Sequence, residues 1–226
     1  MKPTVLLFDI DGTLIDSGGA GRRSIERAFE RRHGRRDACA SIHFGGMTDR
    51  AIARAGLAAI GKDPTPDAIT DLIAAYLEAL AEELPASRAK VHAGIEAALD
   101  ASHAAGAAVG LGTGNVHHGA RLKLSRVGLF ERFGFGGFGS DDEDRAALLR
   151  IGAERGSASL GARLDESRVV VIGDTPKDVA AARAIGVECL AVATGSFSAE
   201  ALAACGPTWV FRDLAEPGAM AALLGE

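Results

Sequence analysis

The sequence predicts an α/β fold: a parallel sheet with helices on both faces, plus an α-helical domain inserted after the first strand. Three observations carry that expectation. Short continuous apolar runs recur along the chain, the clearest of them ending in Gly- or Thr-rich turns, as strands buried on both faces do. Amphipathic stretches of helical length separate these runs, and such alternation builds a parallel sheet covered by helices. The alternation fails only between residues 17 and about 88, where every signal is helical.

The first strand is Thr4–Phe8, stopped by an Asp/Gly cluster. Helices over 20–32, 48–60 and 66–84 fill the insertion. Asp63-Pro64-Thr65-Pro66 is a turn into the third of them, with Thr65 as cap and Pro66 at the first helical position. The chain returns near 85–91. Then follow a helix at 95–105, a strand at 107–111, a helix at 120–127 and a weaker strand at 133–138. A helix at 145–155, a strand at 169–172, a helix at 177–185, a strand at 189–192 and a weak strand at 209–211 complete the reading. The expected division is a core of 1–16 and 88–226 with a helical domain of 17–87.

With 226 residues, 47% hydrophobic and 24% charged, the chain can bury a core without metal or disulfide staples. A net charge of −5 suits a nucleic-acid surface poorly, and 5% aromatic residues offer few faces for bases. The arginines between Arg22 and Arg36, interleaved with Glu26 and Glu30, read as a solvated helix face. Arg22 and Arg23 are also candidates to reach an anionic substrate. Cys39, Cys189 and Cys205 show no CxxC spacing, which indicates neither zinc nor a disulfide framework and points to the cytoplasm. The N-terminal apolar run is cut short by Asp9, and no stretch has membrane-span length, so no membrane association is expected.

Ligands of parallel α/β sheets bind beyond the carboxyl ends of the strands. Three such ends carry Asp9-Ile10-Asp11-Gly12-Thr13, Gly112-Thr113-Gly114-Asn115 and Gly173-Asp174-Thr175-Pro176-Lys177-Asp178. Asp9 and Asp174 offer the hard oxygen ligands that Mg²⁺ prefers. A carboxylate such as Asp9 can accept a phosphoryl group, with a cation offsetting its repulsion from a phosphate dianion. Asp11 can give a proton to a leaving oxygen and then activate water. Gly12 allows a tight turn, and Thr113 can hydrogen-bond a phosphate oxygen with Gly114 beside it. Asn115 either contacts phosphate or caps the following helix.

These segments resemble, in order and spacing, motifs one, two and four of the haloacid dehalogenase-like hydrolase superfamily in its phosphatase form. The helical insertion resembles that superfamily's C1 cap, and the resemblance covers nearly the whole chain. It implies a Rossmann-like core, Asp9 as nucleophile and Asp11 as acid/base. It also implies Mg²⁺ held by Asp9, the Asp11 carbonyl and Asp174, with Asp178 supporting. Thr13 would bond within the motif-one loop. The implied partner is a small phosphorylated metabolite, as in the phosphoglycolate phosphatase branch; oligomeric state stays open.

One motif departs from the pattern. Where the family places a Lys between motifs two and four, residues 139–145 contain none. Arg145, at a helix start, is the expected substitute, because a guanidinium also neutralises carboxylate and phosphate. Lys123 lies nearby in sequence but reads as a helix-surface residue. His117 and His118 read as edge or surface residues, since Mg²⁺ favours oxygen.

The Gly-rich turn Phe44-Gly45-Gly46-Met47-Thr48-Asp49-Arg50 resembles the cap's specificity loop. Thr48 and Arg50 are candidates to meet the substrate, the alternative being a helix cap followed by a surface Arg. A β-phosphoglucomutase-type mutase is the nearest rival. Such mutases carry a His where this chain has Gly21, and an Arg where it has Asp49. A phosphonatase would replace Asp11 and use a cap Lys, for which Lys62 and Lys90 qualify by type only. A non-catalytic binding protein on the same fold is the third reading, resting on the missing Lys.

Overall fold

The computed structural model describes residues 2–226. Strand β1 (Thr4–Phe8) is followed by a two-residue strand, β2 (Ile15–Asp16), and three helices, α1 (Ala20–His33), α2 (Asp49–Ala59) and α3 (Pro66–Glu83). Strand β3 (Lys90–Val91) brings the chain back. Then come α4 (Ile95–Ala104), β4 (Ala108–Thr113), α5 (His117–Ser125), β5 (Phe135–Phe138) and α6 (Arg145–Ser159). The chain ends with β6 (Arg168–Gly173), α7 (Pro176–Ala184), β7 (Glu188–Val192), α8 (Ala199–Ala203), β8 (Trp209–Phe211) and α9 (Ala219–Leu224).

Six strands form one parallel sheet in the order β5-β4-β1-β6-β7-β8. Successive side chains point to opposite faces, and the core divides accordingly. Leu6, Phe8, Val109, Leu111, Val170 and Ile172 pack on one side against α4, α5 and α9. Val5, Leu7, Val169, Val171 and Ala191 pack on the other against α6, α7 and α8. The expected parallel α/β architecture with helices on both faces is what the chain adopts.

Helix α6 lies unusually close to the sheet. A Cβ on Gly137 would stand 1.9 Å from the Leu148 carbonyl oxygen, so the second glycine of the Phe-Gly-Gly-Phe strand admits the helix backbone. Asp144 starts α6 by accepting a hydrogen bond from the Ala147 N–H at 2.9 Å. The helix therefore begins, with Arg145, beside the carboxyl ends of β1 and β6.

Helices α1–α3 build their own apolar cluster around Phe29, Leu57, Leu72, Tyr76 and Leu80, joined from the sheet side by Val116. The α1 arginines form surface pairs with α3, Arg23 with Glu83 and Arg31 with Glu82, both at 2.5 Å. Strands β2 and β3 pair antiparallel where the chain leaves the sheet and returns. That ribbon escapes the sequence reading because two residues carry no periodicity. Helix α5 begins at His117, three residues before the apolar pattern starts, and β4 runs on to include Thr113. Strand β5 begins only at Phe135, after a 3₁₀ turn at Phe130–Arg132. Among the described residues, no helix is long and apolar enough to cross a membrane.

Candidate active site

The loop after β1 folds tightly because the Leu14 and Ile15 N–H groups both donate to the Ile10 carbonyl, at 2.9 and 3.0 Å. Gly12 closes this turn with φ +84°, and a Cβ there would meet Asp174 Oδ2 at 2.4 Å. Asp9 continues the β1–β6 pairing through its N–H to the Ile172 carbonyl, 2.9 Å, and its Oδ1 accepts from the Ile10 N–H at 2.8 Å. Thr13 donates to Asp174 Oδ1 at 3.0 Å, tying the two strand ends together.

At the end of β4, Thr113 is fully buried and its hydroxyl accepts from Asn115, 3.2 Å from the backbone N and 2.9 Å from Nδ2. Asn115 Nδ2 also donates to Asp11 Oδ2 at 2.9 Å. Asn115 does not cap α5: the cap position is Val116, which makes no side-chain cap bond. At the end of β6, Thr175 starts α7 in a reciprocal cap with Asp178, its hydroxyl donating to Asp178 Oδ2 at 2.7 Å.

Arg145 reaches this cluster from α6. Its guanidinium lies 2.8 Å from Asp9 Oδ2 and donates through Nε to Asp178 Oδ1 at 2.8 Å. All three side chains are buried. Burial pushes the Asp9 carboxyl up to about 6, Arg145 opposing it and Asp178 reinforcing it. Asp174 rises further, to about 8, through burial and the adjoining charges of Asp9 and Asp178. Asp11 behaves oppositely. Enclosure works to raise it, but the Lys123 charge and hydrogen bonds from Lys123, Asn115 and Ser17 hold it below the usual range.

Carboxylate oxygens of Asp9, Asp174 and Asp178 lie within 4.8 Å of one another. An all-oxygen set of three buried carboxylates, with Asp9 and Asp174 raised, fits a hard divalent cation such as Mg²⁺. The Asp11 side chain stands outside this set, so only its backbone carbonyl remains for the expected metal role. A cavity of about 540 Å³ opens above the cluster, between the strand ends and the helices α1–α3. Asp9, Asp11, Asn115 and Asp174 line its floor; Arg22, Phe44, Met47 and Ile52 line the opposite wall.

The family model for haloacid dehalogenase-like hydrolase matches residues 3–186. The chain belongs to that family. No curated protein matches it. A predicted phosphoglycolate phosphatase from Haemophilus somnus 129PT superposes with TM-score 0.68 at 18% identity, covering 95% of this chain and 96% of that one. CbbY from Rhodobacter sphaeroides, solved with phosphate, gives 0.71 at 18% identity over 96% and 97%. A β-phosphoglucomutase candidate from Bacteroides vulgatus gives 0.69 at 21% identity over 100% and 91%. At these identities the likeness is one of fold.

The fold of this haloacid dehalogenase-like hydrolase brings Asp9, Asp11, Thr113, Gly114, Asn115, Arg145, Asp174 and Asp178 together. Arg22 lines the same cavity, its guanidinium 3.8 Å over the Phe44 ring and donating to the Cys39 and Ile42 carbonyls at 3.3 and 2.8 Å. For two residues the substrate-contact reading fails and its alternative, a helix cap followed by a surface Arg, holds. Thr48 is buried and caps α2 by accepting from the Ala51 N–H at 3.2 Å. Arg50 turns toward Glu143, 3.6 Å away, and neither residue lines the cavity.

Lys123 is a third correction, since it is 3% exposed rather than on the surface. Its ammonium donates to Asp11 Oδ2 and to Asn115 Oδ1, each at 2.6 Å. A signal for this was present: Lys123 lies one turn beyond Gly119 and one residue before Leu124, on the inward face of α5. Asp49 also lines the cavity. Its Oδ2 accepts the Val116 N–H at 2.8 Å. Burial, opposed by Lys123, raises it to about 6.

Proposed function

We propose that this hydrolase is a Mg²⁺-dependent phosphatase acting on a small phosphate monoester, in the manner of phosphoglycolate phosphatases. The observation that carries the reading is the setting of Asp9. It is a buried carboxylate at a strand end, 2.8 Å from a guanidinium and within a cluster of three acids, facing a cavity that also holds Asp11.

Asp9, Asp174 and the Asp11 carbonyl would hold the metal, with Asp178 beside them. When bound, Mg²⁺ neutralises charge on the phosphate and on the transferring group. Asp9 Oδ attacks phosphorus, forming an aspartyl-phosphate as the bond to the leaving oxygen breaks. Asp11, protonated in this part of the cycle, gives its proton to that oxygen, releasing an alcohol. The Asp11 carboxylate then takes a proton from water, whose oxygen attacks phosphorus and frees Asp9 and inorganic phosphate. Thr113, Gly114 and Asn115 bind phosphate oxygens. Arg145 keeps the nucleophile and phosphate from repelling one another, the task of the family's Lys.

Helices α1–α3, residues 17–87, act as a cap hinged at the β2–β3 ribbon, and closure excludes water during transfer. A cavity of about 540 Å³ suits a metabolite rather than a polymer. Arg22, Met47, Ile52 and Asp49 face the alcohol portion.

The test is phosphate release from p-nitrophenyl phosphate and a panel of phosphorylated metabolites with Mg²⁺. Turnover of at least one small monoester is expected. Inactivity on the whole panel would move the reading to a binding protein. Conversion of β-glucose 1-phosphate to glucose 6-phosphate without net phosphate would make it a mutase.

A further inference from the structure

We propose that Lys123 is a positioning residue for Asp11, making proton donation to the leaving group depend on a lysine of helix α5; this rests on the phosphatase reading above. Lys123 Nζ lies 2.6 Å from both Asp11 Oδ2 and Asn115 Oδ1. The Lys123 side chain is 4% exposed, whereas that of Asp11 is 40% exposed toward the cleft. Lys123 thus stands behind Asp11 and acts on the reaction through it.

An ammonium has three donors and no acceptor, so its partners define its place. Two of those donors bind the carboxylate and the amide. Tyr76 and Asp49, from the helical unit, line the same cavity as Lys123. Nothing about packing requires a charge here, and a buried ammonium is costly unless paired. Space for it is limited, because a Cβ on Gly21 would lie 3.3 Å from Nζ. Helix α1 therefore approaches through a residue without a side chain, and the lysine fills the gap.

The arrangement fixes Asp11 Oδ2 from two directions, by Lys123 and by Asn115 Nδ2 at 2.9 Å. Ser17 donates to Oδ1 at 3.2 Å from the β2 side. Held in this way, the carboxyl keeps its orientation in the cleft as substrates enter and leave. The ammonium also favours the ionised form, and in Lys123→Met the loss of orientation outweighs the easier protonation. A methionine at 123 fills similar volume but releases Asp11.

Leaving groups read this effect directly. An alkoxide needs the proton, whereas p-nitrophenolate departs without it. The experiment measures kcat/KM with Mg²⁺ for p-nitrophenyl phosphate and for an alkyl phosphate, glycerol 3-phosphate, in wild type, Lys123→Met, Asp11→Asn and the double variant. The alkyl-to-aryl ratio should fall about tenfold or more in Lys123→Met, within the range that a general acid supplies. The double variant should fall no further than Asp11→Asn, since both act on one proton transfer. Equal losses on both substrates would assign Lys123 a structural role and overturn the proposal, as would additive losses in the double variant. If Lys123→Met does not fold, Lys123→Gln, which keeps an amide donor, carries the same comparison with a smaller expected fall. Wild-type inactivity on both substrates and on the metabolite panel would instead refute the phosphatase reading itself.

Discussion

The Arg145 guanidinium joins a carboxylate at the end of β1 to one in the first turn of α7, lying 2.8 Å from Asp9 Oδ2 while its Nε donates to Asp178 Oδ1 at 2.8 Å. Both partners are buried, so this cation offsets charge that water cannot reach. Arg145→Ala should lower kcat about a hundredfold or more, as loss of a buried electrostatic stabiliser does. The metal-free protein should lose about 3–5 kcal/mol of stability, because two buried acids are left without their cation. Arg145→Lys should recover part of the activity, since a point charge serves Asp9 but cannot fork to both carboxylates. Kinetics and urea unfolding measure the two effects.

In the proposed phosphatase the acid cluster should make metal binding sensitive to pH. Asp174 sits at about 8 and Asp9 at about 6 in the folded chain, against an ordinary 3.8. The cation takes these groups deprotonated, so apparent Mg²⁺ affinity should fall as pH drops below about 8 and binding should release protons. Stability without metal has the opposite trend. Between about 4 and 8 the folded chain binds more protons than the unfolded one, so stability at these groups is greatest at low pH and is lost as pH rises through 8. Calorimetric titration and thermal melts in EDTA across pH 6 to about 8.5 check both. A pH-independent affinity would contradict the arrangement.

How much of this was legible in the sequence follows from locality. Asp9, Asp11, Thr113, Asp174 and Asp178 lie in contiguous strand-end segments, where the apolar run and the turn after it fix the geometry. Arg145 was legible because its helix start was; the Asp144 cap that fixes that start is seen in the structure. Lys123 was misread because a helical Lys is usually outside, and only Asp11, 112 residues away, explains its burial. Arg50 failed for the reciprocal reason. Its partner Glu143 belongs to the core, and no pattern in 17–87 tells how the helical unit sits over it.

That seating rests on a close backbone approach. The Asp49 N–H donates to the Gly114 carbonyl at 2.8 Å, and a Cβ on Gly114 would lie 2.4 Å from the Met47 carbonyl oxygen. Gly114→Ala should push the helical unit off the strand ends. It should lower kcat while leaving global unfolding within about 1–3 kcal/mol of wild type, the usual cost of overpacking. Limited proteolysis at the β2 and β3 crossings should be faster. Unchanged proteolysis and kcat would show that the contact does not govern closure.

Gly137 makes the same argument for α6. Its Cβ would overlap the Leu148 carbonyl at 1.9 Å, and backbone cannot swing aside as a side chain can. Gly137→Ala should cost more stability than Gly114→Ala and should also reduce activity, because α6 carries Arg145 to Asp9. A thermal melt and a steady-state assay separate the two contributions.

In the proposed mechanism an Asp9 carboxylate oxygen receives the phosphoryl group, and Asp9→Asn tests this most directly. The amide keeps the size of the side chain but is no nucleophile. In Mg²⁺, with p-nitrophenyl phosphate and any metabolite the wild type turns over, kcat should fall by about a thousandfold or more, as on loss of a covalent nucleophile. Folding judged by circular dichroism should be retained. Activity surviving in folded Asp9→Asn would contradict the mechanism.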